Sequence, residues 1–391
     1  MSPFLRYGSF IVAILAATSV PACTEKGVEM ADGGKARGKL LTVDSSGDAG
    51  QYVAMDIDIN DNVHLAYYDK KNRQLKYVQW SPRGLATEVI DSACRRCLFA
   101  TIRATANGEP HVAYYSDSTK TFTYAYRDDD GWHREPIEWG EGNGMGAKLL
   151  FDDSWQLHAL YYSGDGYLKH AWRVAVKSPA VKCKKKKRGE CPPQPKGLWD
   201  NERVDKANGS EHVLISFVKQ PDGRLAATYL HWSGLSSELR LAERQPDGTW
   251  KKQVITREEN PGKASFLFYD EDGNPEIIFR QAMKNRLCLA KQDAQGWKIT
   301  PLIPDAYNMA VSADAQQNLL VAYEHLAGTN PLHGHLRYAL RQAGKWTSFV
   351  LDESRGSGTH VAAALTSESA PVIAYYEEKS HSLKLFLGST L

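Results

Sequence analysis

A short phrase of aromatic and apolar residues recurs along the chain. It reads HLAYYD at 64–69, HVAYYS at 111–116, HALYYS at 158–163 and VIAYYE at 372–377. A second phrase, of the form Leu-Lys-Tyr-Val, recurs seven times and begins at Leu75, Phe122, Leu168, Leu239, Leu287, Leu336 and Leu383. Apolar and polar positions alternate in these phrases, which indicates pleated β-strands with two distinct faces.

The spacing of the second phrase predicts the architecture. Successive copies are separated by 47, 46, 71, 48, 49 and 47 positions. A Gly-Trp or Gly-x-Trp turn follows most copies, and an apolar run ending in a turn such as Asp222-Gly223 precedes each first phrase. Each unit therefore contains four short strands, which we name A, B, C and D. Four antiparallel strands in a repeat of this length predict an all-β fold, a seven-bladed β-propeller of four-stranded blades.

The two ends of the repeat region complement each other. The last unit stops after its strand C, whereas GKLLTVD at Gly38–Asp44 resembles the strand D sequence GKWTSFVLD at Gly344–Asp352. We therefore expect the N-terminal strand to complete the last blade, which closes the ring and removes an exposed sheet edge. The predicted propeller spans residues 38–391.

The single long separation predicts an insertion at about 174–196, between strands C and D of the third blade. Cys183 and Cys191 bracket its centre, which carries the basic residues Lys184, Lys185, Lys186, Lys187 and Arg188. A loop that holds like charges together favours an anionic partner, such as an envelope polymer. The alternative is a solvated, solubilising loop.

The other cysteines indicate an oxidising compartment. Local disulfides 94–97 and 183–191 are the simplest arrangement, although four cysteines allow three connectivities. Cys94 and Cys97 also form a CxxC motif, but no thioredoxin-like βαβ pattern surrounds it, and the spacing of the four makes zinc a weaker interpretation. Cys288 lies between two leucines and is expected to be a buried thiol.

The N-terminus has the pattern of an export signal. Arg6 precedes a short apolar run, and small residues lead to Cys23, which predicts a signal peptide at 1–22. Val20-Pro21-Ala22-Cys23 resembles a bacterial lipobox, with Pro21 as a departure that leaves ordinary signal cleavage as the alternative. The resemblance implies that Cys23 is lipidated. Thr24 after the cysteine implies an outer-membrane lipoprotein facing periplasm or exterior, and residues 23–37 are expected to form a flexible tether.

Composition narrows the function without identifying a ligand. The chain has 391 residues and a formal net charge of only +2, so no global signal for nucleic acid is present. No HExxH, GxSxG or P-loop pattern appears, and no cofactor or metal is expected. His64, His111 and His158 occupy equivalent positions in adjacent units, which favours a structural role over shared metal binding.

The repeats resemble those of bacterial seven-bladed propellers, including lectin-like extracellular ones and exported propeller lipoproteins. Asp247-Gly248-Thr249-Trp250 and 128–132 (DDDGW) also resemble the Asp box of sialidases, but neither has the full pattern. The resemblance implies a noncatalytic module or scaffold that binds proteins or glycans in the cell envelope. The alternative is a glycan-processing, sialidase-like hydrolase with its site at the mouth of the central channel.

Ligands of propellers usually bind at the channel mouth formed by the D–A and B–C connections, and function concentrates on such loops. The residues there that could stack on or hydrogen-bond to a ligand are Trp232, His231, Arg280, Arg286, His325, His333 and His335.

Overall fold

The computed structural model describes residues 27–174, 198–208, 213–234, 236–326 and 334–390. These residues form seven sheets, and each sheet is one blade. The first strands of neighbouring blades contact one another in an unbroken ring around the central axis. The prediction of a seven-bladed propeller is therefore confirmed.

Two strands precede the first complete blade: β1 (Met30–Lys35) and β2 (Gly38–Asp44). The strands of blades I to III follow in chain order. Blade I has β3 (Ala49–Ile57), β4 (Val63–Asp69), β5 (Gln74–Ser81) and β6 (Gly84–Asp91); blade II has β7 (Cys97–Ala104), β8 (Pro110–Ser116), β9 (Thr121–Asp128) and β10 (Gly131–Trp139); blade III has β11 (Met145–Phe151), β12 (Leu157–Tyr162), β13 (Leu168–Arg173) and β14 (Trp199–Asp205).

The remaining blades repeat this order, with one 3₁₀ turn at Ala282–Lys284. Blade IV has β15 (Ser216–Lys219), β16 (Leu225–Trp232), β17 (Ser237–Arg244) and β18 (Trp250–Thr256); blade V has β19 (Pro261–Tyr269), β20 (Pro275–Gln281), β21 (Arg286–Asp293) and β22 (Gly296–Ile303); blade VI has β23 (Ala306–Ala313), β24 (Leu319–Leu326), β25 (Gly334–Gln342) and β26 (Lys345–Asp352); blade VII has β27 (Ser357–Leu365), β28 (Pro371–Glu377) and β29 (Ser382–Gly388).

Burial explains the sequences of the strands. Strand B of each blade lies between two neighbouring blades, so both of its faces are covered, and every residue of β4 is buried. Among the described residues, each interface between adjacent blades holds one apolar cluster. A single blade exposes two apolar faces, so the fold depends on the stacking of neighbours.

The ring closes as the repeat predicts. Strand β2 pairs antiparallel with β29, with Gly38 opposite Gly388 and Leu41 opposite Leu385. The order of blade VII is accordingly β2-β29-β28-β27, so the N-terminal strand supplies the missing strand D. This pairing joins the first and last blades of the ring and gives blade VII the four strands A to D of the repeat.

The segment before β2 differs from its prediction as a flexible tether. Strand β1 pairs parallel with β26 and makes blade VI five-stranded. Just before it, the Val28 amide donates to the Pro301 carbonyl at 2.9 Å. The Gly-rich, polar composition misled the prediction because β1 sits on an outer edge, where its backbone hydrogen-bonds to β26 and needs few apolar side chains.

The structure places the cysteines in two environments. Cys94 and Cys97 form a disulfide, which confirms one of the predicted pairs. Cys288 is buried, and its thiol donates to the Gln281 side chain at 3.4 Å. Cys23, Cys183 and Cys191 lie outside the described residues. Within the described ranges, no helix has the length and apolarity needed to cross a membrane.

Candidate functional site

The first tyrosine of the repeated phrase links neighbouring blades. Its hydroxyl donates to a carboxylate at the end of strand D in the preceding blade at 2.6–2.7 Å, in the pairs Tyr67–Asp44, Tyr114–Asp91, Tyr161–Glu138, Tyr229–Asp205 and Tyr375–Asp352. A basic residue often joins the pair, as Lys76 does at 3.0 Å from Asp44. The phrase is therefore explained by inter-blade contacts rather than by ligand binding.

A second repeated contact involves the tryptophan of the Gly-x-Trp turns. At three successive interfaces the indole Nε1 donates to a glutamate of the preceding blade, in the pairs Trp132–Glu88, Trp199–Glu135 and Trp250–Glu202. An arginine contacts the same glutamate each time, in the pairs Arg127–Glu88, Arg173–Glu135 and Arg244–Glu202. At the interface of blades IV and V the Trp297 indole nitrogen has no hydrogen-bond partner within the described part of the chain.

The three equivalent histidines contact residues of their own blades. His64 hydrogen-bonds to Tyr77 at 2.7 Å and to Asp58 at 3.2 Å. His111 hydrogen-bonds to Tyr124. His158 contacts a histidine, His170, where blades I and II have Tyr77 and Tyr124, with 2.9 Å between Nδ1 and Nε2.

The interface of blades III and IV contains an open cleft of about 420 Å³, which we name the III–IV cleft. Its polar and aromatic lining includes Asp152, Gln156, His158, Trp172, Arg244 and Gln245. The Arg244 guanidinium lies over the Trp172 ring, 5.7 Å from its centroid. An aromatic surface beside several hydrogen-bonding groups is the combination expected of a site for a small polar ligand.

Two carboxylates flank the histidine pair beneath this cleft. Asp152 lies 3.2 Å from His158, and Glu202 lies 2.9 Å from His170. Two neutral imidazoles supply two protons, one for the Asp152–His158 contact and one for the His158–His170 contact. The Arg244 guanidinium donates to the remaining nitrogen, His170 Nδ1, at 3.1 Å. Burial lowers the pKa of His170 to about 4 despite the nearby Glu202 carboxylate. The pair therefore stays uncharged at neutral pH.

A second group of polar side chains lies at the channel mouth over blades V and VI, and we name it the mouth cluster: Arg280, Tyr307, Asn308 and Glu324. Arg280 is only 6% exposed and Glu324 only 4%. The Arg280 guanidinium stacks on Tyr307, 4.2 Å from the ring centroid. Asn308 donates to Glu324 at 2.7 Å. Burial raises the pKa of Glu324 to about 7, and Asn308 and Arg280 only partly oppose that rise.

The channel itself contains a further cation. Strand β11 places Lys148 at the inner ring, and burial together with the neighbouring Arg103 guanidinium lowers its pKa to about 8. Arg103 is engaged elsewhere, with the Leu149 carbonyl at 3.1 Å and Asp56 at 3.2 Å.

The residues predicted as ligand contacts do not form one site. Trp232 is 41% exposed on blade IV, and the neighbouring His231 lies 3.7 Å from Asp205. His335 Nδ1 donates to the Glu353 carbonyl at 2.7 Å, and Arg286 donates to the Gln281 side chain at 2.8 Å. His325 lines a separate groove of about 330 Å³ beside β1. His333 and the basic run 184–188 lie outside the described residues.

Of the predicted residues, Arg280 belongs to the mouth cluster, whereas Glu324, Tyr307 and Asn308 were missed. The aligned repeats already distinguish Arg280 and Glu324 from the residues at the same position in the other blades. The residue opposite the first residue of the second repeated phrase is Tyr68, Tyr115, Tyr162, Leu230, Arg280, Glu324 and Tyr376 in blades I to VII. Only blades V and VI carry a charged residue there, and they are neighbours.

Comparison with known proteins supports the fold alone. No protein-family model matches the chain, and no curated protein does. Among solved structures, a protein of unknown function from Dyadobacter fermentans has a TM-score of 0.52 at 11% identity, over 90% of this chain and 98% of that one. An alpha-L-arabinanase from Penicillium chrysogenum has a TM-score of 0.47 at 13% identity, over 74% and 93%. The hydrazine synthase of Kuenenia stuttgartiensis has a TM-score of 0.49 at 11% identity, over 87% and 96%.

Proposed function

We propose that this chain is a noncatalytic binding propeller of the bacterial cell envelope and that it binds a glycan in the III–IV cleft. The observation that carries the proposal is the composition of that cleft, where Trp172 offers an aromatic face beside Arg244, Gln156 and Asp152. An aromatic ring packs against the C–H face of a sugar, while carboxylate, amide and guanidinium groups hydrogen-bond to its hydroxyls.

The repeat gives a reason why the cleft is specific to this interface. Trp172 pairs with His158, and the equivalent residue opposite His64 in blade I is Gln79. The equivalent residue is Tyr126 in blade II and Glu243 in blade IV, so tryptophan occupies this position only in blade III. In the Asp–His–His–Glu chain beneath it, the imidazoles are uncharged, whereas, despite burial, hydrogen bonds lower the pKa of Asp152 and Glu202 and keep both carboxylates ionised.

Binding to a glycan array tests the proposal. Residues 24–391 are applied at low and at high salt, because a sugar pocket resists salt whereas binding through exposed charges does not. We expect salt-resistant binding to a defined sugar. Trp172→Ala weakens it about tenfold or more, which corresponds to about 1.4 kcal/mol, while the matched Gln79→Ala leaves it unchanged. No binding to any glycan contradicts the proposal and favours a protein ligand.

The anchor is a separate part of the proposal. Cys23 of the lipobox-like sequence carries the lipid and holds the propeller at the outer membrane, and the basic run 184–188 contacts an anionic envelope polymer. Two acyl chains or more are needed for stable attachment. Cys23→Ser is therefore expected to move the protein from the membrane fraction to the soluble fraction. A variant that stays with the membranes would refute the lipid anchor without affecting the cleft.

A glycan-processing hydrolase with its site at the channel mouth is the second candidate, and Glu324 is the observation that favours it. A carboxyl group with a pKa near 7 is half-protonated at neutral pH and can serve as a general acid. Fluorogenic glycosides test this candidate. Hydrolysis that Glu324→Gln abolishes supports it, and the absence of turnover by folded protein contradicts it.

A further inference from the structure

The repeat is broken by charge at one place. Blades V and VI replace the tyrosine or leucine of the other blades by Arg280 and Glu324, and both side chains are more than nine-tenths buried. Burial of a charged group is costly unless a partner compensates. A charge at a position that tyrosine or leucine fills elsewhere is not needed for stacking the blades.

The hydrogen bonding of the Arg280 side chain is incomplete. Within the described ranges no carboxylate lies within 4.0 Å of its guanidinium; one Nη atom donates to the Asn285 side chain at 2.9 Å, and the buried Nε has no hydrogen-bond partner. The ring of Tyr307 covers one face of the guanidinium and is itself 43% exposed at the mouth. Arg280 therefore offers a planar donor edge beside an exposed aromatic ring. A carboxylate matches that edge with two parallel hydrogen bonds.

Glu324 lies near Arg280 without forming an ion pair. Its Oε2 accepts from Asn308 at 2.7 Å, and the backbone at Gly334 leaves no room for a Cβ beside the carboxyl group. The charged groups that act on it are Glu378 of blade VII, which raises its pKa, and Arg280 of blade V, which lowers it. A protonated carboxyl group has an O–H that can donate to an anion, whereas its ionised form repels one.

We propose that the mouth cluster is a second binding site, distinct from the III–IV cleft, and that its ligand presents a carboxylate held by Arg280 and by the O–H of Glu324. Tyr307 contacts the part of the ligand next to the carboxylate. Because Glu324 must carry its proton, binding takes up a proton at neutral pH and weakens as the pH rises through 7. Free small carboxylates and uronic acid residues of a glycan share this chemistry.

Calorimetry with residues 24–391 tests the site, with sodium glucuronate, sodium acetate and glucose as probes. We expect glucuronate to bind and to bind about tenfold more weakly at pH 8 than at pH 6, since the protonated fraction of a group with a pKa of 7 falls about tenfold over that range. Acetate that binds as well as glucuronate identifies a small carboxylate as the ligand. A preference for glucuronate identifies a uronic acid.

Four variants assign the binding to these residues. Arg280→Gln abolishes it, and Arg280→Lys, which keeps the charge but not the planar edge, weakens it severalfold. Glu324→Gln keeps an N–H donor at every pH, so binding persists and its change between pH 6 and pH 8 falls below twofold. Lys284→Gln removes an exposed charge from the neighbouring turn and leaves affinity within twofold.

Three results would overturn the proposal. The first is that glucuronate and acetate bind no better than glucose to the folded protein. That result would mean that only water hydrogen-bonds to the donor edge of Arg280. The second is binding that is unchanged in Arg280→Gln. The third is a pH dependence that survives in Glu324→Gln. Loss of glucuronate binding in Trp172→Ala would place the ligand in the III–IV cleft instead, so the two proposals fail separately.

Discussion

Glu324 shows how a single residue makes the stability of the fold depend on pH. In an unfolded chain the carboxyl group titrates near 4.5, whereas burial raises its pKa in the folded protein to about 7. Between these values the folded protein holds a proton that the unfolded chain releases. Its contribution to stability is therefore fully present below pH 4.5 and is lost as the pH rises through 7.

Replacement of this carboxyl group by an amide removes the dependence. We expect Glu324→Gln to be more stable than the natural chain at pH 8, by roughly 1–3 kcal/mol, because each pKa unit corresponds to about 1.4 kcal/mol. Near pH 4.5 the difference vanishes. Urea unfolding at the two pH values measures it. Glu353→Gln, which alters an exposed partner of Lys35, is the control and shows no such trend. Equal stability of Glu324→Gln and the natural chain at pH 8 would contradict the argument.

The contact between the tyrosine of one blade and the carboxylate of its neighbour is the element that fixes how two blades stack. The Tyr229 hydroxyl donates to Asp205 at 2.6 Å, and Arg240 binds the same oxygen at 2.8 Å. Blade V has Phe279 at the equivalent position and is still part of the ring. The contact therefore adds stability at each interface without being indispensable at every one.

Removal of that hydroxyl measures its contribution. We expect Tyr229→Phe to lower the free energy of unfolding by roughly 1.5–3 kcal/mol, since the acceptor is charged. Tyr162→Phe is the matched control: its hydroxyl donates to the neutral Leu230 carbonyl at 2.7 Å, so the loss is about 1 kcal/mol. Denaturant unfolding gives both values. A larger loss for Tyr162→Phe would mean that the charge of Asp205 does not strengthen the contact.

The elements could be predicted from the sequence because the repeat states the same pattern seven times. Strand order, blade number and ring closure follow from the regular spacing of positions such as Leu75 and Leu383. A strand that is ambiguous in one copy of the repeat can be identified from the other copies. Strand β1 could not be predicted, because it is a fifth, parallel strand on blade VI and has no counterpart in the four-strand repeat. The III–IV cleft was equally hidden, since Trp172 and Arg244 meet only after two blades have stacked.

At the scale of the whole molecule, closure depends on the seven residues of β2, Gly38–Asp44. Without β2, blade VII would expose the buried side chains of Leu383, Leu385 and Phe386, and Tyr67 would lose Asp44 as its acceptor. A ring with one open edge also presents unpaired backbone groups.

Two truncations separate the closing strand from the strand before it. A chain that begins at Gly38 keeps β2 and is expected to unfold in one cooperative transition, with a modest loss from the missing β1. A chain that begins at Ser45 lacks β2 and is expected to aggregate or to lose cooperative unfolding. Circular dichroism and size-exclusion chromatography distinguish the two. Identical, cooperative unfolding of both chains would mean that β2 does not hold the ring closed.

The docked N-terminal segment also limits how a lipid-anchored form would sit on a bilayer. Val28 is bound to Pro301, so only residues 24–26 and Gly27 separate that contact from Cys23, a reach of roughly 15 Å at about 3.5 Å per residue. In a lipid-anchored form, the outer edge of blades V and VI would therefore stay within that distance of the lipid, which would restrict how far the propeller rotates above the headgroups.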